Sequence, residues 1–213
     1  MLAKHMFKTA WLLAIFAVVS TGMLAYTYEN TKERVAINER ESLLHTLHAL
    51  VPPGAHDNDL YDDTITVRSP EYLGSREPVT VYRARKHGAP VAAILSVVAP
   101  DGYSGDIKLL IAIAYDGTML GVRVASHKET PGLGDAIEVD RSNWILGFNG
   151  KSLDNPDEKG WHVKKDGGVF DQFTGATITP RAVVKAVHKS LKYFAAHRDE
   201  LFARPPQEAP SHG

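Results

Sequence analysis

From residue 9 to residue 28 the chain carries no charged side chain, and Trp11, Leu12, Leu13, Ile15, Phe16, Val18, Val19, Met23 and Leu24 dominate the run. Twenty helical residues, at about 1.5 Å each, span roughly the 30 Å hydrocarbon thickness of a bilayer. Trp11 and Tyr26 stand near its two ends, where aromatic side chains settle at a membrane interface. Lys4 and Lys8 precede the run and small residues follow it, features that a cleaved signal peptide shares. The run is longer than a usual signal core, and no small-x-small cleavage site ends it, so a retained anchor is expected. Lys4 and Lys8 lie before it and Lys32, Arg34 and Arg40 after it, so charge counting does not fix the orientation. A short amino-terminal tail and a long translocated domain make the simpler arrangement.

Past the anchor, four segments are expected: 1–28 tail and transmembrane anchor, 29–54 juxtamembrane helix, 55–202 folded domain, and 203–213 disordered tail. Leu43, Leu44, Leu47 and Leu50 form a stripe at helical spacing, and Val51-Pro52-Pro53-Gly54 ends it. Such a stripe docks on the chain's own core more often than on a partner. Residues 55–78 read as polar and turn-rich. Segments 79–85, 91–98, 107–115 and 119–125 then read as strands, with Asp116-Gly117 as a hairpin turn between the last two. They form an expected antiparallel meander, the core of an α+β domain with packed helices. A short helix is expected around Ala136 and Trp144. A last helix should begin with Thr179 as N-cap and Pro180 in the first turn, bury Val183, Val184, Val187, Leu191 and Phe194, and reach about His197. The tail after residue 203 is rich in proline and polar residues, which predicts disorder.

The formal net charge of −1 and the lack of a basic run argue against nucleic-acid binding. No cysteine is present, which removes disulfides, thiolate nucleophiles and cysteine-ligated metal clusters from this chain. Ten histidines occur without an H-E-x-x-H or haem-attachment pattern, so solvated or structural roles are expected and no metal ligand is assigned. His188 is expected on the exposed side of the last helix.

The chemistry concentrates in Asp171-Gln172-Phe173-Thr174-Gly175-Ala176-Thr177, immediately before that helix. Small residues let a ligand approach the backbone, and a helix start offers unpaired N–H groups with a dipole suited to phosphate. By spacing alone, the threonines could equally do no more than turn and cap the chain. No Walker lysine and no Gly-x-Gly-x-x-Gly accompany them, so a triphosphate or dinucleotide site lacks its usual support.

Residues 171–177 resemble the Asp-x-x-Ser/Thr-Gly-Ala-Thr acceptor sequence of the FMN-binding domain family. Gly102-Tyr103-Ser104-Gly105 resembles the Gly-Tyr-x-Gly segment of the same family. His127-Lys128-Glu129-Thr130-Pro131-Gly132-Leu133-Gly134 is similar to a stretch found in the RnfG family of Rnf (Rsx) ion-translocating electron transport complexes. It is shared, with variation, by the C-type subunit of sodium-pumping NADH:quinone reductases. The resemblance implies that a flavin transferase moves FMN from FAD onto Thr177 through a phosphoester, with Thr174, Gly175 and Ala176 forming the loop around it. It further implies that Glu129 and Thr130 approach the flavin and that Leu133 and Gly134 shape its pocket.

The resemblance also implies an electron-relay subunit beside other membrane subunits of a ferredoxin- and NAD-coupled translocase. Its FMN-binding domain would be held by one span of the bacterial inner membrane and lie on the periplasmic side. No catalytic acid or base is assigned, because the chemistry belongs to the cofactor. Two other readings stay open at this point: an anchored binding or assembly module whose threonine loop only caps a helix, and a stand-alone flavin-dependent reductase.

Overall fold

The computed structural model describes residues 2–203 and residue 205. It divides into two compact units, residues 1–43 and 44–213. In the first, the expected anchor and the segment after it form one helix, α1 (Leu2–Leu50), without a break at residue 28. Its amino-terminal part is long and apolar enough to cross a membrane, and the side chains of that stretch are exposed.

The second unit is built on an antiparallel sheet of five strands in the order β1 (Thr64–Val67), β2 (Val79–Lys86), β3 (Ala89–Ala99), β4 (Ile107–Ala114) and β5 (Met119–Ser126). The four expected strands are present, and the turn at Asp116-Gly117 is formed, with Gly117 at φ +93° and Thr118 N–H bonded to Asp116 Oδ1 at 2.8 Å. β1 corrects the reading of residues 55–78 as wholly irregular. Its Ile65 pairs with Val81, which pairs with Leu95, then Ile111, then Val122, so one apolar row crosses all five strands. Each of these residues is buried in the main core. The remaining helices are α2 (Pro70–Leu73) and α3 (Ile178–Ala203).

α3 covers that face of the sheet with Val183, Val184, Val187, Leu191 and Phe194, all buried as their spacing predicts. Strand alternation sends Ala84, Ala92, Ile94, Leu110 and Ala112 to the opposite face, where they are also buried. The last turns of α1 supply Leu47 and Leu50 to that side, and Leu50 Cδ2 lies against the backbone of Gly121, the strand partner of Ala112. Leu47 and Leu50 of the leucine stripe thus dock on the domain's own core.

Between β5 and α3 the chain forms short 3-10 turns in place of the expected helix, at Gly134–Ile137, Trp144–Phe148, Glu158–Gly160 and Lys164–Asp166. Aromatic rings hold this region together: Phe148 stacks on Phe170 at 4.6 Å, and Trp161 lies parallel to His188 at 5.1 Å. His188 is therefore buried, which corrects its expected exposure. Trp161 offers it a flat apolar face that helical periodicity could not reveal.

α3 starts one residue before Thr179 and runs to Ala203, beyond His197. Its carboxyl end is held by β2: Arg83, fully buried, donates from Nη1 to Leu201 O at 3.0 Å, and Arg85 Nη2 donates to Phe202 O at 2.8 Å. Both guanidinium groups pair with Asp63. Burial pushes the Arg83 guanidinium below its ordinary pKa, and the Asp63 carboxylate opposes that shift. The expected tail after residue 203 lies outside the described residues, apart from residue 205.

Candidate functional site

Three segments distant in sequence meet at the amino end of α3: the turn at 102–105 before β4, the loop 127–134 after β5, and the loop 171–177. Glu129 joins them. Its side chain is buried, Oε1 accepts from Ser104 N–H at 2.8 Å, and Oε2 accepts from the Thr179 hydroxyl. A buried carboxylate needs donors on both oxygens, and here they come from outside its own loop. Thr179 is thus not the N-cap. It lies inside the first turn, fully buried, and spends its hydroxyl on Glu129.

Gly134 follows from this packing. A Cβ at Gly134 would stand 2.8 Å from Glu129 Cβ and 3.0 Å from Thr179 Oγ1, so no larger residue fits without displacement.

The loop 171–177 has a defined shape of its own. Phe173 and Ala176 form a β-bridge closed by an Ala176 N–H bond to Phe173 O at 3.2 Å, and Gly175 takes the left-handed conformation at φ +82°. Trp144 supports it: the indole N–H donates to Asp171 O at 2.7 Å, and the ring meets Phe173 edge-on at 5.1 Å. Lys164 pairs with the Asp171 carboxylate at 2.6 Å. Arg181 grips Asp166 with two 2.5 Å bonds, which lower the Asp166 carboxyl pKa and raise that of the guanidinium.

Above these contacts lies a cleft of about 330 Å³. Glu129, Thr130, Leu133 and Gly134 line it from one loop, and Gly175, Ala176 and Thr177 from the other. The structure therefore gathers seven of the eight residues marked in the sequence. Thr174 is the exception: it is exposed at the corner of the turn and does not line the cleft. Tyr103, Ile178 and Thr179 complete the wall and were not marked. The Gly102-Tyr103-Ser104-Gly105 segment carried the only signal for Tyr103. Tyr103, Leu133 and Ile178 are 67%, 43% and 47% exposed, so a large apolar surface opens around the cleft.

The first N–H groups of a helix lack intrahelical acceptors. Pro180 has no N–H, and Arg181 N–H turns back to Thr177 O at 3.4 Å, so the first-turn N–H groups without an acceptor among the described residues are those of Ile178 and Thr179. Thr177 is partly exposed beside them. A second depression, of about 190 Å³ between α2 and α3, is smaller, and its lysines are engaged: Lys185 with Asp101 and Lys189 with Glu71 O. Among the described residues, no group of three or more histidine or carboxylate side chains gathers as a metal site would require.

Residues 102–192 match the family described as FMN-binding domain, and residues 1–50 match the RnfG N-terminal region. A protein of Pseudomonas aeruginosa, named as the G-type subunit of an ion-translocating oxidoreductase complex, is 51% identical over 209 residues, covering 98% of this chain and 97% of its own. The chain belongs to this RnfG family. Relatives of the same name from Pseudoalteromonas atlantica and Vibrio cholerae are 47% and 48% identical over 196 and 198 residues. They cover 92% and 93% of this chain, and 91% and 94% of their own lengths. The cleft therefore lies within the FMN-binding domain of an RnfG family member, between residues 103 and 179.

Proposed function

We propose that this chain carries FMN through a phosphoester on Thr177 Oγ1 and relays electrons as a subunit of an ion-translocating oxidoreductase complex. The observation that carries the reading is the position of Thr177. It is a partly exposed hydroxyl on the wall of the cleft, next to the free N–H groups of Ile178 and Thr179. A phosphate there meets oriented donors and the positive end of the α3 dipole. The cleft is at the lower end of the usual range for small-molecule sites, about 300–1,000 Å³. Its apolar rim suits a ring system that is only partly enclosed.

In the maturation step, Thr177 Oγ1 forms a bond to the FMN phosphorus of FAD while the pyrophosphate P–O bond breaks and AMP leaves. The hydroxyl proton passes to a base on the flavin transferase. Once bound, FMN supplies acceptance and release of one or two electrons. The chain's residues hold and bias it. Tyr103, Leu133 and Ile178 would offer apolar surface to the ring, and the Glu129 carboxyl and the Thr130 hydroxyl would stand on the wall beside it. A covalent link keeps the flavin from leaving when its redox state changes.

The names of the relatives support placement beside other subunits of the complex. Coupling to ferredoxin and NAD, an inner-membrane anchor formed by α1, and a periplasmic FMN domain complete the proposal. Co-expression with a flavin transferase, followed by a denaturing gel, tests it. A flavin-fluorescent band is expected for the natural sequence and none for Thr177→Ala. A band that survives in Thr177→Ala overturns the assignment, and no band in either supports a domain whose threonine loop only shapes a helix start.

A further inference from the structure

We propose that His127 is a positioning residue for Glu129, and that the acceptor contact of its Nδ1 sets how that carboxylate sits against a cofactor in the cleft. The inference rests on the reading of the cleft as the FMN site. His127 is nearly enclosed, its side chain 10% exposed. Its Nδ1 accepts the N–H of Glu129 at 3.0 Å, so that nitrogen carries no proton. The neutral ring then holds its hydrogen on Nε2, which lies 3.0 Å from Glu138 Oε1 and donates to it.

The imidazolium form cannot keep this arrangement. It carries hydrogens on both nitrogens, and the one on Nδ1 would face the Glu129 N–H across 3.0 Å, donor against donor. Glu138 faces the ring at Nε2, and Arg141, with Nε 3.7 Å from both Glu138 Oε2 and Asp135 Oδ2, stands behind it. The Glu129 carboxylate is already occupied by Ser104 N–H and the Thr179 hydroxyl. Protonation therefore has to move either the ring or the 127–129 turn. Only one residue separates His127 from Glu129, so a shift in that turn reaches the cleft wall directly.

The test uses the full-length chain in detergent, loaded with FMN and shown by peptide mapping to carry it on Thr177. The midpoint potential is measured across a range of pH for the natural sequence, His127→Asn and His127→Ala. Asparagine places an acceptor oxygen near the Nδ1 position but cannot gain a proton. His127→Asn should lie close to the natural profile, and His127→Ala should be offset from it at every pH. A His127→Ala profile that coincides with the natural one overturns the proposal.

Nitrogen-15 NMR of the unloaded chain provides a readout that needs no flavin. The Nδ1 shift should report an unprotonated acceptor, and the Glu129 amide should shift in His127→Ala and much less in His127→Asn. An unresponsive Glu129 amide refutes the role of His127. If Thr177 proves unmodified, the FMN reading fails while the NMR result still decides the role of His127.

Discussion

At its carboxyl end α3 surrenders its last carbonyls to arginines of β2, whereas at its amino end it leaves N–H groups facing a cleft. Arg83 and Arg85 bind Leu201 O and Phe202 O and are neutralised by Asp63, so the negative end of the helix dipole is satisfied from within the fold. At the other end Thr179 turns its hydroxyl inward to Glu129, and Thr177 and Ile178 stay at the surface. One helix thus has two unlike ends: the closed end is tied into the fold, and the open end borders the cleft. Changes at the closed end should cost stability and leave the cleft chemistry alone, while changes at the open end should cost less stability and also disturb the cleft.

The largest effect is expected from Arg83→Ala, which removes the buried partner of Asp63, leaving it Arg85, and strips Leu201 O of its donor. Breaking such a pair costs about 3–5 kcal/mol, to be read from the urea midpoint, and the protein that remains folded should still accept flavin. A loss below about 1 kcal/mol would show that the clamp contributes little.

Thr179→Val tests the open end. It removes a donor from a buried carboxylate and should cost toward the upper part of about 1–3 kcal/mol, with thermal melting as the check. Thr179→Ser keeps the hydroxyl and should recover most of the loss; equal destabilisation by both would assign it to packing instead. Gly134→Ala should cost about 1–2 kcal/mol by overpacking against Glu129. It should also slow flavin loading, measured by in-gel fluorescence, more than Arg83→Ala does.

The smallest effect concerns His188. Burial against Trp161 lowers its pKa, Lys192 adds to the shift and Glu158 opposes it, its carboxylate 3.3 Å away but too poorly aligned for a hydrogen bond. The unfolded chain then binds the proton more readily than the folded one. The stability tied to neutral His188 is fully present above the unfolded value of about 6.5 and is lost as pH falls from there through the lower folded value. Between about pH 7.5 and about pH 5.5 the natural protein should lose about 1–2 °C more in Tm than His188→Phe. Equal losses would remove His188 from the account.

Much of the domain could be read along the chain because its signals are local. β2 to β5 announce themselves by alternation, by apolar runs and by Asp116-Gly117, and α3 by its spacing of valines. What escaped depends on distant partners. β1 is four residues long and sits in a polar stretch, and it becomes a strand only because β2 offers an edge. Arg83 looks like a surface arginine until Asp63 and the end of α3 close around it. Thr179 reads as a cap, yet Glu129, fifty residues away, claims its hydroxyl. The same holds in the cleft. The loops 127–134 and 171–177 are marked by their small residues, but the placement of Tyr103 in the wall, and of Thr174 outside it, follows from how three segments pack.

The contrast between the two ends of α3 finally depends on what the open end holds. The direct measurement is the intact mass of the matured full-length chain, followed by sequencing of the peptide that bears Thr177. A single added FMN on Thr177, absent from Thr177→Ala, is the predicted result. An unmodified Thr177 in protein matured with an active flavin transferase, or FMN attached to another residue, would contradict it.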